Sequence, residues 1–593
     1  MPRPMGGGVV EKPQNFKASI KKILVFSKSY LPFLVVSSLL IVFSTVCRLI
    51  GPRKLGEISD IVNPTNNAVF DFQSVKGIAF FLIIIYVLAF IATYIANLFI
   101  GKVTFKVTEK LRGEIANKIN RLPLGYLDKT PYGDVLSRIT NDVDLIGQTL
   151  MNSTASMVGS IVMFLGALIM MLATNVWMTI TAVISTIVGF SLMMVIIKKS
   201  QKYFIAQQKN LGELNGIIEE SYSGQPVIKA FNAEKEVKTK FDEVNTRLRL
   251  SSKNSQFTSG IMQPIMGFIG NLGYVAVCVV GAILVIKGFI GFGVIVSFMI
   301  YIRLFTNPLS QISQSMTQLQ STAAAGERVF EFLEEQELED ESEKDDQQFN
   351  FKGSVRFDHV KFGYLPNKEI IHDFSANINA GDKVALVGPT GAGKTTIVNL
   401  LMRFYEINSG SITIDGVNID SMTRSQLHDL FGMVLQDTWL FDGTVRENLV
   451  YNKKDCGDEE IWRACKACGI DHFIKTLPNG LNTVLDDNTA ISAGQKQLFT
   501  IARAMIQDHP MLILDEATSN VDTRTEELIQ IAMDKLMEGR TSFVIAHRLS
   551  TIKNADLILV LNDGDIVEQG THAELLKKGG FYAELYNSQF SQN

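Results

Sequence analysis

Six runs of apolar residues dominate the first half of the chain and fix the solvent in which it must fold. They lie at 31–50, 78–100, 157–174, 178–197, 261–286 and 294–305 with its flanks. A helix needs ~20 apolar residues to cross the hydrocarbon core of a bilayer, and inside lipid it must satisfy its own backbone hydrogen bonds. The runs therefore predict six membrane-spanning helices, the last being the weakest because Arg303 interrupts it. A hydrophobic fraction of 47% and a positive mean hydropathy agree with that reading. Charge is nearly balanced, 56 Lys+Arg against 60 Asp+Glu, which argues against a nucleic-acid partner held by bulk electrostatics.

Lysine and arginine set the orientation. Lys102, Lys106, Lys110, Arg112, Lys118, Arg121, Lys129 and Arg138 follow the second run, and Lys198, Lys199, Lys202 and Lys209 follow the fourth. The loop between runs three and four has no such residue, and the loop between five and six has little beyond Lys287. The long basic segments, and with them both termini, are then cytosolic. Both segments keep apolar residues at spacings of three and four, over 102–152 and 198–256. Spans two to five are expected to continue as helices below the membrane, with the breaks "PLGYLDKTPYGD" and "SYSGQPVIKAFNAE" at their tips.

Residues 1–20 read as a flexible, Gly/Pro-rich cytosolic tail without a secretory signal. The five cysteines give no disulfide framework, and the lone CxxC of Cys465 and Cys468 reads as two small residues on a helix. Arg48, Glu57, Asp60 and Arg303 are charges at membrane depth and hence functional hints, with pairing to carboxylates or snorkelling the equal alternative for Arg48 and Arg303. Met163, Phe164, Met170, Met171 and Met299 read as packing or lipid contacts before they read as an adaptable pocket.

A domain of six spans with long helical extensions thus occupies 21–333, and an acidic, solvated linker follows at 334–350. From 351 to 593 short β-rich runs ("KVALVG", "MLILDE", "TSFVIAH") alternate with helical patterns, and "LILVLNDGDIVEQG" reads as a hairpin, which predicts an α/β domain. Within it Gly388-Pro389-Thr390-Gly391-Ala392-Gly393-Lys394-Thr395 fits G-x-x-x-x-G-K-[ST] between a strand and a helix. Glycines let backbone N–H groups up to Thr396 close on phosphate oxygens, and the helix offers its N-terminus to the anion. Lys394 is expected on the β/γ-phosphates of ATP and Thr395 on Mg²⁺. Asp515 and Glu516 end an apolar strand 121 residues after the lysine; Asp515 suits the metal and Glu516 the attacking water.

The second half resembles the nucleotide-binding domain of ATP-binding cassette proteins. The residues that carry the resemblance are the Lys394 loop, "ISAGQKQ" (491–497), "ILDEATSNVD" (513–522) and "VIAHRLST" (544–551). The resemblance implies that Tyr364 stacks on adenine, that Gln436 touches Mg²⁺ and that His547 contacts the γ-phosphate. It implies that Ser492, Ala493, Gly494, Gln495 and Asp522 meet the ATP held by a partner cassette. Six spans ahead of one cassette is the arrangement of exporter half-transporters, so a second such chain is required. Ala493 stands where the family has glycine, and "VLDDNTAI" lacks a Gly-Glu-Arg-Gly-like stretch. Both departures favour a heterodimer over a homodimer. The implied activity is ATP-driven export of a drug-like, lipid or peptide substrate by alternating access, from a bacterial plasma membrane. The competing class is a nucleotide-gated channel, against which an intact Glu516 and His547 argue.

Overall fold

In the computed structural model the residues described are 15–62, 71–341, 344, 351–365, 368–436, 438–453, 455–485, 491–515, 522–545 and 549–590. The expected tail lies largely outside them, as do Glu516, His547 and residues 342, 343 and 345–350 of the acidic linker. The chain divides into two compact units: residues 1–122 with 130–336, and residues 123–129 with 337–593.

The first unit is all helix. It comprises α1 (Phe16–Phe26), α2 (Leu31–Val62), α3 (Phe72–Ile119), α5 (Tyr132–Ser137), α6 (Val143–Thr174), α7 (Val176–Ser223), α8 (Gln225–Ala230), α9 (Glu234–Ile286) and α10 (Phe292–Glu334), with α4 (Leu124–Lys129) reserved for the second unit. Among the described residues five helical stretches are long and apolar enough to cross a membrane: Lys28–Val62, Phe72–Ile119, Tyr132–Thr174, Val176–Ser223 and Phe292–Glu334. The run at 294–305, weakest by sequence, lies in one of these. The run at 261–286 lies in α9, where Gly270–Ile286 is apolar but shorter than a full span. The continuous α3, α7 and α9, of 48, 48 and 53 residues, bear out the helical extensions, and the breaks at α4–α5 and α8 fall in the two quoted segments.

Polar groups hold the helices in register. Between α6 and α10, Arg328 clasps Asp142 at 2.5 and 3.0 Å, Thr322 meets Thr149 at 2.5 Å, Ser153 meets Gln318 at 3.0 Å and Ser160 meets Gln311 at 2.7 Å. Such bonds replace the missing hydrophobic drive where helices pack in lipid. Tyr301 Oη donates to Leu49 O at 3.0 Å and Ser297 Oγ to Pro52 O at 2.9 Å, tying α10 to α2. Asp60 Oδ1 accepts the Gly293 N–H at 2.6 Å and so caps α10, a structural duty for that carboxylate. Glu57 pairs with Lys54 at 2.6 Å, whereas Arg48 and Arg303 are exposed and form no ion pair among the described residues. Met171 is fully buried, and Met163, Phe164, Met170 and Met299 pack against the same cluster, so packing is their role.

The second unit carries twelve strands among the described residues: β1 (Val355–Phe362), β2 (Ile371–Ile378), β3 (Lys383–Val387), β4 (Ser409–Ile414), β5 (Val417–Asn418), β6 (Phe431–Val434), β7 (Gly443–Thr444), β8 (Val484–Leu485), β9 (Met511–Asp515), β10 (Thr541–Ile545), β11 (Leu557–Asn562) and β12 (Asp565–Gly570). One antiparallel sheet runs β2-β1-β4-β5; the main sheet runs β12-β11-β3-β10-β9-β6, parallel except for the β11–β12 hairpin. Its central strands are apolar on both faces: Ile513, Phe543 and Ile545 face one core cluster, Leu512, Leu514 and Val544 the other. Helices cover both faces of such a sheet, which is why these strands read as continuous apolar runs.

Gly56 and Gly293 form the tightest crossing in the helical unit. A Cβ on Gly293 would sit 2.0 Å from Gly56 O and 2.7 Å from the Asp60 carboxylate. Gly293→Ala should cost about 1–3 kcal/mol, as overpacking does. It should lower the thermal midpoint of the purified protein in detergent. Gly77→Ala, where a Cβ meets nothing within 4 Å, should leave the midpoint unchanged.

Candidate nucleotide site

Three parallel strands set the site. β10 pairs with β3 through Ile545↔Leu386 and with β9 through Ile545↔Asp515, so β3, β9 and β10 end side by side. The turn 388–393 leaves the first of these ends, Asp515 closes the second, and the sequence reaches His547 two residues past the third. The carboxyl ends of parallel strands are where open α/β sheets bind ligands.

From β3 the chain passes into α11 (Lys394–Leu401). Gly391 has φ +87°, and a Cβ there would meet nothing within 4 Å. Gly393 caps α11 at φ +97°, a left-handed geometry that side chains disfavour. Lys394 is buried, and its Nζ donates to Gly388 O at 2.8 Å and Pro389 O at 2.9 Å. Burial lowers its pKa, and the charge of Asp515 works in the opposite direction. No described carboxylate forms an ion pair with it. A desolvated cation at the start of a helix, after a glycine-rich turn, fits an anionic phosphate chain. Thr395 is exposed at the first turn, while Thr390 lies exposed on the loop and Ala392 is buried beneath it.

The remaining expected residues are dispersed over the same unit. Tyr364 sits beside the loop: its Oη is 3.2 Å from Thr396 Oγ1, and its ring meets Phe362 and Tyr405 edge-on, each at 4.9 Å. Gln436 is exposed just beyond β6. Ser492 caps the helix Ala493–Gln507 in a reciprocal capping box with Gln495; Ser492 and Ala493 are exposed and Gly494 is buried. Asp522 caps the helix Thr523–Met537, and the Thr525 hydrogen bonds hold its carboxyl below the ordinary carboxylate range. Glu516 and His547 lie outside the described residues.

Two features escaped the sequence reading. Glu341, in the acidic run, anchors rather than merely solvates: it takes Arg403 and Arg424 at 2.8 Å each and Lys344 at 3.0 Å. Burial would raise its pKa, but the Arg424 N–H and these cations outweigh that and lower it. Tyr405 donates its hydroxyl to Asp128 of α4, a pair 277 residues apart that local pattern cannot reveal. Cys465 and Cys468 are buried, and burial pushes both thiols up to about 12. Both side chains belong to the apolar cluster beneath the main sheet, beside Ile461, Leu498 and Ile529.

Residues 34–309 match the family model described as the ABC transporter transmembrane region, and residues 371–519 match that described as ABC transporter. A fatty acid ABC transporter ATP-binding/permease protein of Mycobacterium bovis is 43% identical over 536 residues, covering 90% of this chain and 85% of that one. The chain belongs to the ABC transporter family. The uncharacterized ABC transporter ATP-binding protein YfiC of Bacillus subtilis is 39% identical over 98% of this chain and 96% of its own. A probable multidrug resistance ABC transporter ATP-binding/permease protein of B. subtilis, YheH, is 35% identical over 82% of this chain and 73% of its own. Its place in this family makes the chain a multi-pass half-transporter whose cassette hydrolyses ATP to drive export.

Proposed function

We propose that the chain exports an amphipathic, lipid-like molecule with an anionic head group, as one half of a heterodimer. The observation that carries the substrate class is a polar stripe on α10. Arg303, Asn307, Ser310, Gln314 and Thr317 follow one another at steps of four and three and are all exposed. Arg303 lies eleven residues into α10, ~16 Å along its axis and so near mid-bilayer. Of this stripe Arg303, Asn307 and Ser310 fall within the ~30 Å of hydrocarbon crossed by α10, where a guanidinium without a described partner, an amide and a hydroxyl are too costly to face lipid tails and suit a polar path. The identity to a relative named for fatty acid transport agrees with a carboxylate as the counter-charge.

In the cassette, Gly388, Pro389, Thr390, Gly391, Ala392, Gly393, Lys394, Thr395 and Thr396 cradle the triphosphate, and Tyr364 stacks on adenine. Lys394 neutralises the phosphates, and its burial strengthens that attraction. Thr395, Asp515 and Gln436 would hold Mg²⁺, which would supply charge neutralisation at the phosphates. Glu516 orients and deprotonates the attacking water, and His547 donates to the γ-phosphate. Ser492, Ala493, Gly494, Gln495 and Asp522 present their exposed end to ATP on a partner chain.

The tip around α8 supports the need for a partner. Tyr222, Val227 and Phe231 are 86%, 60% and 79% exposed on a segment beyond the apolar stretches. A second chain is what covers such a patch in water. The methyl of Ala493 at the helix start makes one of the two composite sites the weaker. Basic residues along the extensions support a cytosolic side for these tips and both termini, and the spans are assigned on this reading to a bacterial plasma membrane.

Glu516→Gln should retain ATP binding and lose about two orders of magnitude in turnover, as removal of a positioned base does; ATPase assays that show unchanged turnover would remove that role. Arg303→Ala, in vesicles containing the full assembly, should abolish stimulation of the ATPase by oleate while leaving unstimulated hydrolysis intact. Equal stimulation by oleate and by oleyl alcohol in the parent protein would exclude the anionic class. Affinity purification of tagged chain from its native host should bring down a second, similar half-transporter, and recovery of one chain alone with full activity would establish a homodimer.

A further inference from the structure

The adenine-side tyrosine and the α4 tip are joined by a short chain of contacts inside the second unit. Thr396, in the first turn of α11, shares a hydrogen bond of 3.2 Å with Tyr364 Oη. The Tyr364 ring meets the Tyr405 ring edge-on at 4.9 Å and 87°. Tyr405 then donates its hydroxyl to the Asp128 carboxylate at the end of α4. Gly125, one turn back on α4, lies against the same ring: a Cβ there would come within 2.9 Å of Tyr405 Cε1. Burial and the Asp128 charge both push the phenol above its ordinary pKa, so it stays a neutral donor.

Tyr405 itself is held from behind. Arg403 adopts φ +53° and is buried, with Glu341 at 2.8 Å, Glu406 at 3.1 Å and Asp420 at 3.8 Å. Arg424 closes the loop onto Glu341 and Glu406. The turn 403–406 therefore has little freedom of its own. A ring fixed on such a turn transmits a shift of Tyr364 to Asp128 instead of absorbing it, because aromatic edge contacts lose attraction quickly once displaced.

We infer that Tyr405 is a positioning residue that reports nucleotide at Tyr364 to α4, the connector between α3 and α5. The inference rests on the adenine assignment of Tyr364 made above. When a base stacks on Tyr364, the ring is pinned, Tyr405 is pinned against it, and the phenol–carboxylate bond to α4 tightens. Without the phenol hydroxyl, α4 keeps its ring contact but loses its directional tie.

The test uses the full assembly in lipid nanodiscs, carrying Glu516→Gln so that ATP is bound and not consumed. Amide hydrogen exchange of the peptide spanning α4 should slow by about tenfold on adding Mg-ATP, since exchange reports local opening. Tyr405→Phe and Asp128→Ala should each reduce that protection to about twofold or less, and the double variant should go no further, as expected for one shared bond. Trinitrophenyl-ATP should bind all three variants within about twofold of the parent affinity. ATP-dependent protection of α4 that persists unchanged in Tyr405→Phe overturns the inference. So does a loss of nucleotide affinity as large as the loss of protection, which would make Tyr405 a mere buttress of the adenine pocket. Tyr364→Ala separates this from the underlying reading: unchanged trinitrophenyl-ATP affinity in that variant removes the adenine assignment itself, and the relay with it.

Discussion

Inside hydrocarbon a peptide group has no water to turn to, so each N–H must find its partner along its own helix. That constraint shapes more than the spans. Because α3, α7 and α9 run unbroken past the apolar stretches, each is a single rod of 48 to 53 residues. At 1.5 Å per residue a rod of this size is ~70–80 Å long, more than twice the hydrocarbon thickness. A rod transmits displacement along its length where a loop would absorb it. The chain breaks these rods at two tips, and one of them, α4, belongs by its contacts to the cassette unit.

The cassette works from the opposite premise, that charge out of water is costly unless answered. Lys394 is buried without a described ion-pair partner, at the start of a helix that follows a glycine-rich turn. On the proposed reading a phosphate at that helix start would answer the desolvated cation. The same logic separates Arg303 from Asp142 and Arg328. The latter pair answer each other across α6 and α10, and hold two helices together. Arg303 has no such answer among the described residues, which is why the proposal above gives it to an anionic cargo.

Much of this was readable before any coordinates. Apolar run length predicted six spans, of which five are full length among the described residues, and three-four spacing in "VTEKLRGEIANKINRL" predicted the continuation of α3. The apolar runs "KVALVG", "MLILDE" and "TSFVIAH" predicted β3, β9 and β10, whereas the alignment of their ends came only from the fold. What stayed hidden has a common cause. Glu341 looked like one acid among many, and only the folded chain puts Arg403 and Arg424, far along the sequence, around it. Asp60 looked like a membrane charge with a function, whereas its carboxylate caps α10 from 233 residues away. Tyr405 follows an apolar helix in a manner that carries no local signal. Pairing across such separations is a property of the fold, and one sequence without relatives does not encode it in any short pattern.

The polar ladder between α6 and α10 bears on how the membrane unit moves. Four side-chain pairs, from Asp142–Arg328 to Ser160–Gln311, span ~27 Å of helix. Breaking one bond at a time leaves a buried donor or acceptor unmet, so the pair slides only as a concerted step or not at all. By contrast Arg247–Glu213 and Asn210–Ser251, which join α7 to α9, lie on the extensions, and within the apolar stretches these two helices meet at Gly273 against Ser185 and through an apolar cluster that α6 and α10 share. Polar pairs thus run along the α6–α10 contact, whereas α7 and α9 pack in lipid through small and apolar side chains, the two means by which helices associate without a hydrophobic drive.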